Sequence, residues 1–482
     1  MKIINPELVA KIKNSDIFNN LKHAKNYFFA DVATRAISLI SIPVFTALFT
    51  PEDYGIISIF LSYVAIFTIL LSLNLHTAIG RYYYEKTKDF KEFLGTSIIL
   101  VTFVFFTTFI LFLLFHKQLS AIMQLPGVLS FYLILACLFG IIYTIYRQIL
   151  VPRRKSKEDA KINVLKGWSN FIIALILVLI LKEYKYLGVI WAGLITGFIF
   201  SIYFLIKMSK YSKISFNPKH VKYILTYSLP LMPYALSSVI LTQFDRIMIG
   251  GITSTAAAGI YSLGYNIGMI LLMVIGATLT AFVPDFMEFV KKKEYIRIDN
   301  LVKKTFSIVL VAAFCIILFS KELILILVAQ KFHAAISIIA PVVIGYIFYQ
   351  MFYIYGSYLT YLKKTIFSSV VVLTAGIINI LLNAIFIPKY GYIAAAYTTL
   401  ISYFVMFVLA WFFVKIMLKQ RVTPLKIICW PLTIMFSFTF LFYLFEWLNF
   451  NFILLFVIKL ILLMVFITII FHKQIRTISK YY

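Results

Sequence analysis

The chain alternates between long apolar runs and short segments of charged or turn-forming residues. The runs are continuous, without the period-two alternation of a membrane β-strand. A helix needs about 20 apolar residues to cross roughly 30 Å of hydrocarbon, so each run predicts one membrane-spanning helix. The predicted spans, numbered 1 to 14, cover residues 26–49, 56–79, 94–115, 128–149, 162–181, 187–207, 223–249, 256–283, 305–329, 335–360, 366–387, 391–414, 426–446 and 450–471. The expected fold class is an all-α integral membrane protein.

Composition excludes the soluble classes of protein. Hydrophobic residues make up 62% of the 482 residues and charged residues 13%, against about 45–50% and 25% in soluble domains. A soluble fold cannot bury that much apolar surface, because the buried fraction levels off near 75% even in large domains. A soluble enzyme, a disordered tail protein and a fibrous protein are therefore excluded.

The net charge of +27 indicates membrane topology rather than a nucleic-acid partner. Of the 45 Lys and Arg residues, 35 lie in the N-terminal segment, the C-terminal tail and every second connection, and six lie in the other connections. Lys and Arg concentrate in cytoplasmic segments. We therefore expect both termini in the cytoplasm, an even number of spans, and no DNA or RNA partner.

A weak internal repeat relates the two halves. Gly55 and Gly259 lie in similar stretches at an offset of 204, and Gly188 and Gly391 at an offset of 203. Each of these glycines opens a predicted helix at the corresponding place. The repeat predicts an N-terminal lobe of spans 1–6 at residues 1–215 and a C-terminal lobe of spans 7–12 at residues 216–418. An extra helix pair follows at residues 419–482. Six spans per repeat predict parallel lobes suited to alternating access.

Short motifs in both halves carry a resemblance to a known family. They are the stretches 35–43 (Arg-Ala-Ile-Ser-Leu-Ile-Ser-Ile-Pro), 50–55 (Thr-Pro-Glu-Asp-Tyr-Gly), 78–85 (Ala-Ile-Gly-Arg-Tyr-Tyr-Tyr-Glu), 227–233 (Tyr-Ser-Leu-Pro-Leu-Met-Pro), 244–250 (Phe-Asp-Arg-Ile-Met-Ile-Gly) and 258–262 (Ala-Gly-Ile-Tyr-Ser). Together with the 6+6+2 arrangement, they resemble the multidrug/oligosaccharidyl-lipid/polysaccharide exporter superfamily. Within that superfamily, the chain resembles the polysaccharide branch, whose members are O-antigen-type flippases of lipid-linked oligosaccharides. The resemblance covers essentially the whole chain.

The resemblance implies a flippase of the bacterial inner membrane. Members of this branch move undecaprenyl-pyrophosphate-linked oligosaccharide units from the cytoplasmic to the outer leaflet, for O-antigen (lipopolysaccharide), capsule or teichuronic-type polymers. Lipid-linked oligosaccharide and membrane lipid are the implied ligands, a polysaccharide polymerase and glycosyltransferases the implied partners, and no cofactor is expected. Two alternatives in the superfamily remain: a multidrug cation antiporter, which would need an acidic cavity, and a lipid II flippase.

An enzyme is not expected. The chain lacks an Asp-x-Asp pair, a P-loop and an HExxH motif. The longest connection expected on the outer side, 320–333, offers no large catalytic loop. The three cysteines and six histidines show no metal-site spacing, so no metal site is expected either.

Arg35 is the deepest basic residue of span 1, roughly 14 Å inside it at 1.5 Å per residue. An arginine at that depth faces a water-filled cavity or a partner, and Asp31 lies one turn away. The sequence leaves two interpretations. Either Asp31 and Arg35 form a structural pair, or the planar fork of Arg35 binds pyrophosphate on a cavity wall.

Asp245 and Arg246 lie in the last turns of span 7, near its outer end. As neighbours in a helix they point about 100° apart, so we expect that they do not share a partner. They are interpreted either as an interfacial pair of charges at a helix end or, for Asp245 above all, as a gate or ion-coupling site. Pro230 and Pro233 predict a bend earlier in the same span.

Three further basic residues are candidate substrate ligands. Lys459, in the middle of span 14, either borders a groove for the polyprenyl tail, as the resemblance implies, or reaches a neighbouring helix. Arg81 and Arg147 lie at the cytoplasmic ends of spans 2 and 4. They either receive a phosphate group from the inner leaflet or are ordinary topology-setting charges.

Span 10 is rich in tyrosine along its whole length, unlike an interfacial aromatic belt. Tyr349 and Tyr353 are candidates to contact sugar rings through phenol faces and hydroxyls. The alternative is a packed aromatic core. Five amide residues of the spans either line a polar path or bond between helices, namely Asn74, Gln243, Asn266, Asn379 and Asn383.

Overall fold

The computed structural model describes residues 33, 37, 40–85, 88–123, 125–447 and 451–478. Within these ranges the chain is helical apart from short connections, and no strand occurs. Thirteen helices of this part are long and apolar enough to cross a membrane. Each overlaps one of predicted spans 2 to 14, which confirms the all-α membrane fold. Predicted span 9, at 305–329, is displaced, since its helix runs from Tyr295 to Leu318. Span 1 falls largely outside the described residues, and of it residues 40–48 are helical.

The chain divides into two compact units, one ending at Val239 and the other beginning at Ile240. The helices of the first unit are α1 (Pro51–Ser72), α2 (His76–Glu85), α3 (Phe90–Leu114), α4 (His116–Met123), α5 (Gly127–Leu150), α6 (Ser156–Ile180), α7 (Tyr186–Ser209) and α8 (Pro218–Ser228). In this unit α5 packs on α1 and α7, and α8 packs on α2 and α3. The lobe boundaries expected after residues 215 and 418 stay a prediction.

The unit boundary falls inside α9 (Met232–Ile252), so this helix begins in one unit and ends in the other. The remaining helices of the second unit are α10 (Thr255–Gly268), α11 (Leu271–Lys292), α12 (Tyr295–Leu318), α13 (Ser320–Leu327), α14 (Ile336–Tyr361), α15 (Thr365–Tyr390), α16 (Tyr392–Phe412), α17 (Leu425–Trp447) and α18 (Phe452–Ile478). Here α14 packs on α10, α12 and α16, while α17 and α18 pack on α12.

The repeat glycines mark equivalent helix starts in the two halves. Thr50 caps α1 with a capping box, its hydroxyl accepting from the Asp53 amide at 3.1 Å, and Ser254 caps α10 by accepting from the Ala257 amide at 3.1 Å. Such caps satisfy amides that the helix itself leaves unpaired. Gly55 and Gly259 are each the fifth residue of their helix.

The second glycine pair is less alike. Gly391 is the N-cap of α16 with φ of +67°, a conformation that suits glycine. Gly188 is instead the third residue of α7. The offset of 203 therefore joins two helix starts whose glycines play different conformational roles.

The predicted interruption of span 7 is present. Helix α8 ends at Ser228, a 3₁₀ turn covers Leu229–Leu231, and α9 starts at Met232. Pro230 lies in the 3₁₀ turn, where its missing N–H and its ring disfavour a continuous α-helix.

A short segment before α8 crosses α3 at Gly95. The Lys213 amide donates to the Lys91 carbonyl at 2.9 Å, and the Thr96 hydroxyl donates to the Ser215 carbonyl at 2.9 Å. A Cβ at Gly95 would lie 1.9 Å from the Lys213 carbonyl oxygen. The close backbone approach therefore requires glycine at this position, and it sets where α8 begins.

We expect Gly95→Ala to destabilise the protein although alanine is the better helix former. The helix gains about 1 kcal/mol from alanine, but the backbone oxygen of Lys213 must move, and each lost hydrogen bond costs about 0.5–1.5 kcal/mol. Gly276→Ala is the matched control, since nothing lies within 4 Å of a Cβ there. The measurement is the thermal unfolding midpoint of each purified variant in detergent. A Gly95→Ala midpoint equal to that of Gly276→Ala would contradict the expected crossing.

Candidate functional site

The carboxylate of Asp245 lies at the centre of a buried polar cluster in the second unit. Its side chain is fully buried. The Tyr261 and Thr399 hydroxyls donate to Asp245 Oδ2 at 2.5 and 2.6 Å. The Asn383 amide donates to Oδ1 at 2.7 Å. Three donors thus replace the hydration that a buried carboxylate loses.

Two asparagines and a threonine close a hydrogen-bonded ring with this carboxylate. Asn383 Nδ2 also donates to Asn379 Oδ1 at 3.3 Å, and Asn379 Nδ2 donates to Thr399 Oγ1 at 3.2 Å. Thr399 in turn donates to Asp245. The carboxylate is therefore the final acceptor of the hydrogen bonds in this ring. Thr398 adds a hydrogen bond to Asn383 Oδ1.

Helical spacing explains how four helices bring these groups together. Asn379 and Asn383 lie one turn apart on α15 and therefore on the same face. That helix packs on α16, which supplies Thr398 and Thr399. Tyr261 comes from α10.

Arg246 is buried beside the cluster without pairing with Asp245. Only 3% of the residue is exposed. Its guanidinium donates to the Thr242 carbonyl and lies 4.6 Å from the Tyr265 ring centre and 6.0 Å from that of Tyr261. Aromatic faces stabilise a desolvated guanidinium, so Arg246 adds positive charge next to the carboxylate.

Asp245 and Arg246 are not an exposed pair of charges at a helix end. Both residues are buried inside the second unit, and α9 continues to Ile252, so Asp245 lies about two turns from the helix end. The expectation that they share no partner is wrong, because Tyr261 contacts both. The Tyr261 hydroxyl donates to Asp245, and the Tyr261 ring faces Arg246.

The tyrosines of span 10 divide between core and surface. Tyr346, Tyr355 and Tyr358 are buried, which is the packed core that the sequence left open. Tyr353 is 37% exposed, and its hydroxyl accepts from that of Tyr349 at 3.1 Å. The two rings lie 4.8 Å apart between centres. Tyr349 and Tyr353, the two residues predicted to contact sugar, thus form a pair at the surface of the unit.

Lys459 makes a buried ion pair with Glu322 of α13. Its ammonium lies 2.6 and 2.8 Å from the two carboxylate oxygens, and the side chains are 2% and 13% exposed. The ammonium also lies 4.8 Å from the centre of the Phe442 ring. Lys459 therefore reaches a neighbouring helix, the alternative that the sequence left open.

Arg147 neutralises a buried carboxylate of the first unit. Its Nε donates to both oxygens of Asp159, at 3.1 and 3.3 Å. The Asp159 side chain is 1% exposed and that of Arg147 is 46% exposed. The guanidinium of Arg147 thus has a structural partner at Nε.

Arg81 lies on α2, at the edge of an open pocket of about 390 Å³ in the first unit. Its Nε donates to Glu85 at 2.5 Å, and its guanidinium lies 4.7 Å from the centre of the Tyr227 ring. The pocket is lined by Arg81, Lys219, Lys222, Tyr223, Thr226 and Tyr227. The structure thus places Arg81 beside Lys219 and Lys222 of α8, which are not candidate ligands from the sequence.

Arg35 and Asp31 lie outside the described residues, so the choice between a structural pair and an anion site stays a prediction. In the part of the chain that is described, no group of three or more His, Cys, Asp or Glu side chains is placed to hold a metal ion. The oxygens around Asp245 belong to one carboxylate, two amides and several hydroxyls. Such hard oxygen donors suit a proton or a small monovalent cation better than a transition metal.

A family model described as "Polysaccharide biosynthesis protein" matches residues 21–290, which is more than half of the chain. Two curated proteins of Haemophilus influenzae, "Lsg locus putative protein 1" and an "Uncharacterized membrane protein", are each 24% identical over 282 residues. The match covers 56% of this chain and 66% of each relative, so the chain spans just under two thirds of their length.

Solved membrane transporters have a similar fold. A structure of the lipid II flippase MurJ, in an inward closed conformation, matches with a TM-score of 0.72 at 19% identity, over 93% of this chain and 99% of that one. An inward-facing multidrug resistance MATE family transporter of the MOP superfamily matches with a TM-score of 0.64 at 14% identity, over 80% and 96%. Identity at this level relates the folds alone.

Proposed function

The chain belongs to the polysaccharide biosynthesis protein family, and from this premise we propose that it flips undecaprenyl-pyrophosphate-linked oligosaccharide units across the bacterial inner membrane. The units move from the cytoplasmic to the outer leaflet by alternating access and supply O-antigen, capsule or a teichuronic-type polymer. The family match carries the proposal. The flippase and transporter folds that resemble this chain support the transport step.

The physical task is to lower the cost of moving pyrophosphate and sugar hydroxyls through hydrocarbon, where polar groups without partners are costly. Arg35, Arg81 and Arg147 are the proposed phosphate ligands, with Asp31 beside Arg35. The isoprenoid tail stays in lipid. The engagement of Lys459 with Glu322 favours a structural role for that lysine over a substrate contact.

Asp245 is the proposed gate or ion-coupling residue, with Arg246 beside it. Its carboxylate is held by the hydroxyls of Tyr261 and Thr399 and by the Asn383 amide. A proton or monovalent cation that binds there competes with these hydrogen bonds, which link α9 to α10, α15 and α16. Ion binding would then change the packing of four helices, as coupling to a conformational change requires.

A transport assay distinguishes this function from the two alternatives in the superfamily. The purified protein in liposomes is offered three substrates separately: the host's lipid-linked oligosaccharide, lipid II and a cationic dye. We expect movement of the first only, and accumulation of that lipid in a deletion strain that lacks surface polymer. Movement of lipid II or the dye, without the oligosaccharide, would overturn the proposal in favour of the matching alternative.

A polysaccharide polymerase and glycosyltransferases are the proposed partners, because they would use and supply the flipped lipid. The proposed setting is the inner membrane with both termini in the cytoplasm, as the distribution of Lys and Arg predicts.

We expect Tyr353→Ala to reduce polymer export by about 2- to 10-fold, the effect of losing one aromatic contact worth 0.5–1.5 kcal/mol. Because Tyr353 is 37% exposed, the amount of folded protein should not change. Tyr355→Ala is the control for the core, since Tyr355 is buried and donates to the Thr423 carbonyl; it should lower folded protein instead. Normal export by Tyr353→Ala would remove this ring from the substrate path.

A further inference from the structure

The pocket beside Arg81 has the composition of an anion site. It lies where α8 packs on α2, and its volume is about 390 Å³. Arg81, Lys219 and Lys222 supply three positive charges, and two tyrosines and a threonine complete the lining. Glu85 is the nearest described carboxylate to Arg81, and it is already engaged by Arg81 and by the Tyr223 hydroxyl at 2.7 Å.

The α8 side of the pocket follows helical periodicity. Residues 219, 222, 223, 226 and 227 are spaced by one turn or two, so they occupy one face of α8. Lys219 and Lys222 are exposed, and their ammonium groups make no ion pair with any residue that the structure describes. Two adjacent lysines without a carboxylate partner are available to an incoming anion.

Arg81 is held in position for the same ligand. Glu85 binds it through Nε, and the Tyr227 ring lies against its guanidinium. Both contacts restrict the orientation of the guanidinium, and the Arg81 side chain remains 52% exposed. A guanidinium held this way binds phosphate oxygens with less loss of side-chain entropy than a free arginine.

A cluster of polar side chains attaches α8 to the start of α3 and so helps to build the pocket. His220, the residue after Lys219 on α8, is buried, and its Nε2 lies 3.2 Å from Asp89 Oδ2. The Tyr82 hydroxyl donates to the same oxygen at 2.7 Å. Burial opposes the ionisation of Asp89, but the hydrogen bonds from Tyr82 and His220 outweigh it and lower the pKa of that carboxyl. Asp89 therefore remains an acceptor at neutral pH.

We propose that this pocket binds the phosphate group of a lipid at the membrane face that carries the basic connections, with Lys219, Lys222 and Arg81 as its ligands. The inference rests on the proposed function, for which the lipid is the pyrophosphate-linked substrate as it enters. An anionic phospholipid headgroup presents the same phosphate chemistry. The tyrosines beside the cations provide faces for the first sugar of the substrate, which a phospholipid lacks.

The test measures binding in nanodiscs of zwitterionic phosphatidylcholine. The probes are farnesyl pyrophosphate, inorganic pyrophosphate and farnesol, with phosphatidylglycerol added to the nanodiscs in a separate series. The variant is Lys219→Gln with Lys222→Gln. The control is Lys157→Gln with Lys161→Gln, which removes two exposed lysines of the same predicted membrane side, one turn apart at the start of α6.

We expect the first double variant to bind farnesyl pyrophosphate roughly 10- to 30-fold more weakly, at about 1 kcal/mol for each lysine near an anionic group. Farnesol binding should not change, and the control should match the native protein. Competition by phosphatidylglycerol that disappears in the variant would assign the site to phospholipid headgroups as well. Unchanged farnesyl pyrophosphate binding, or an equal loss in the control, would overturn the proposal.

The binding test of this pocket can fail or succeed independently of the transport test of the proposed function. A pocket that binds pyrophosphate through these lysines, in a protein that moves no lipid-linked oligosaccharide in liposomes, would keep this inference and remove the function. If the variant with Lys219 and Lys222 replaced transported normally and bound farnesyl pyrophosphate as before, the proposed function would stand and this inference would be removed.

Discussion

Polymer export is expected to stop when Asp245 is replaced by asparagine. Asparagine has nearly the same shape, but one of the two carboxylate oxygens becomes an NH₂ donor. Tyr261 and Thr399 both donate to Oδ2, so the new oxygen must stay there and the new NH₂ must face the Asn383 amide, which is also a donor. Losing a charge-assisted hydrogen bond costs about 1.5–3 kcal/mol, which is at least about tenfold in an equilibrium.

The measurement is surface polymer per molecule of inserted protein, so that coupling is separated from folding. Asp285→Asn is the control, because Asp285 is an exposed carboxylate of the same unit; it should export normally. If Asp245→Asn lowered the amount of protein while each remaining molecule exported at the native rate, the cluster would be structural and the ion-coupling role would be lost. Full insertion without export would support that role.

The spans were predictable because the length and apolarity of a membrane helix are local properties of the sequence. The interruption at Pro230 was predictable for the same reason, since proline acts on its own turn. The equivalence of Gly55 and Gly259 also followed from sequence, as each is the fifth residue after a Thr or Ser cap.

The surroundings of Asp245 were not predictable, because its partners are far apart in sequence. Tyr261 is 16 residues away, Asn383 is 138 and Thr399 is 154. Asn379 and Asn383 were both candidates for polar lining, but no local feature of the sequence indicated that they form a cluster with Asp245. Predicted span 7 ends at residue 249, whereas α9 continues to Ile252, so Asp245 lies about two turns from the helix end rather than about one.

Lys219 and Lys222 were missed for a different reason. A count of Lys and Arg gives every basic residue the same weight, whether or not it has a carboxylate partner. The pocket depends on α8 packing on α2, and on the contact of His220 with Asp89 at the N-cap of α3, 131 residues away. The one sequence feature that could have indicated it is the spacing of 219, 222, 223, 226 and 227 on one helical face.

The buried pair of Lys459 and Glu322 should give the largest effect on stability in the second unit. In Lys459→Met the carboxylate of Glu322, 13% exposed, loses its counter-ion. Removing one partner of a buried pair costs about 3–5 kcal/mol, whereas replacing both by neutral residues of similar size is often neutral. We therefore expect little folded Lys459→Met protein, and near-native amounts of the double variant Lys459→Met with Glu322→Gln. Lys389→Met, at an exposed lysine of the same unit, is the control and should behave as the native protein.

Export by the double variant then decides between the two interpretations of Lys459. A structural lysine predicts that the double variant, once folded, exports polymer at the native rate, because no substrate contact has been removed. A lysine that binds substrate predicts a folded double variant with impaired export, since methionine offers no charge to a phosphate or donor to a sugar. The existing hydrogen bonds of 2.6 and 2.8 Å to both oxygens of Glu322 occupy the ammonium and favour the first outcome. A double variant as poorly folded as Lys459→Met would contradict the expected rescue, because the cost would then come from lost packing against Phe442 rather than from an unpaired charge.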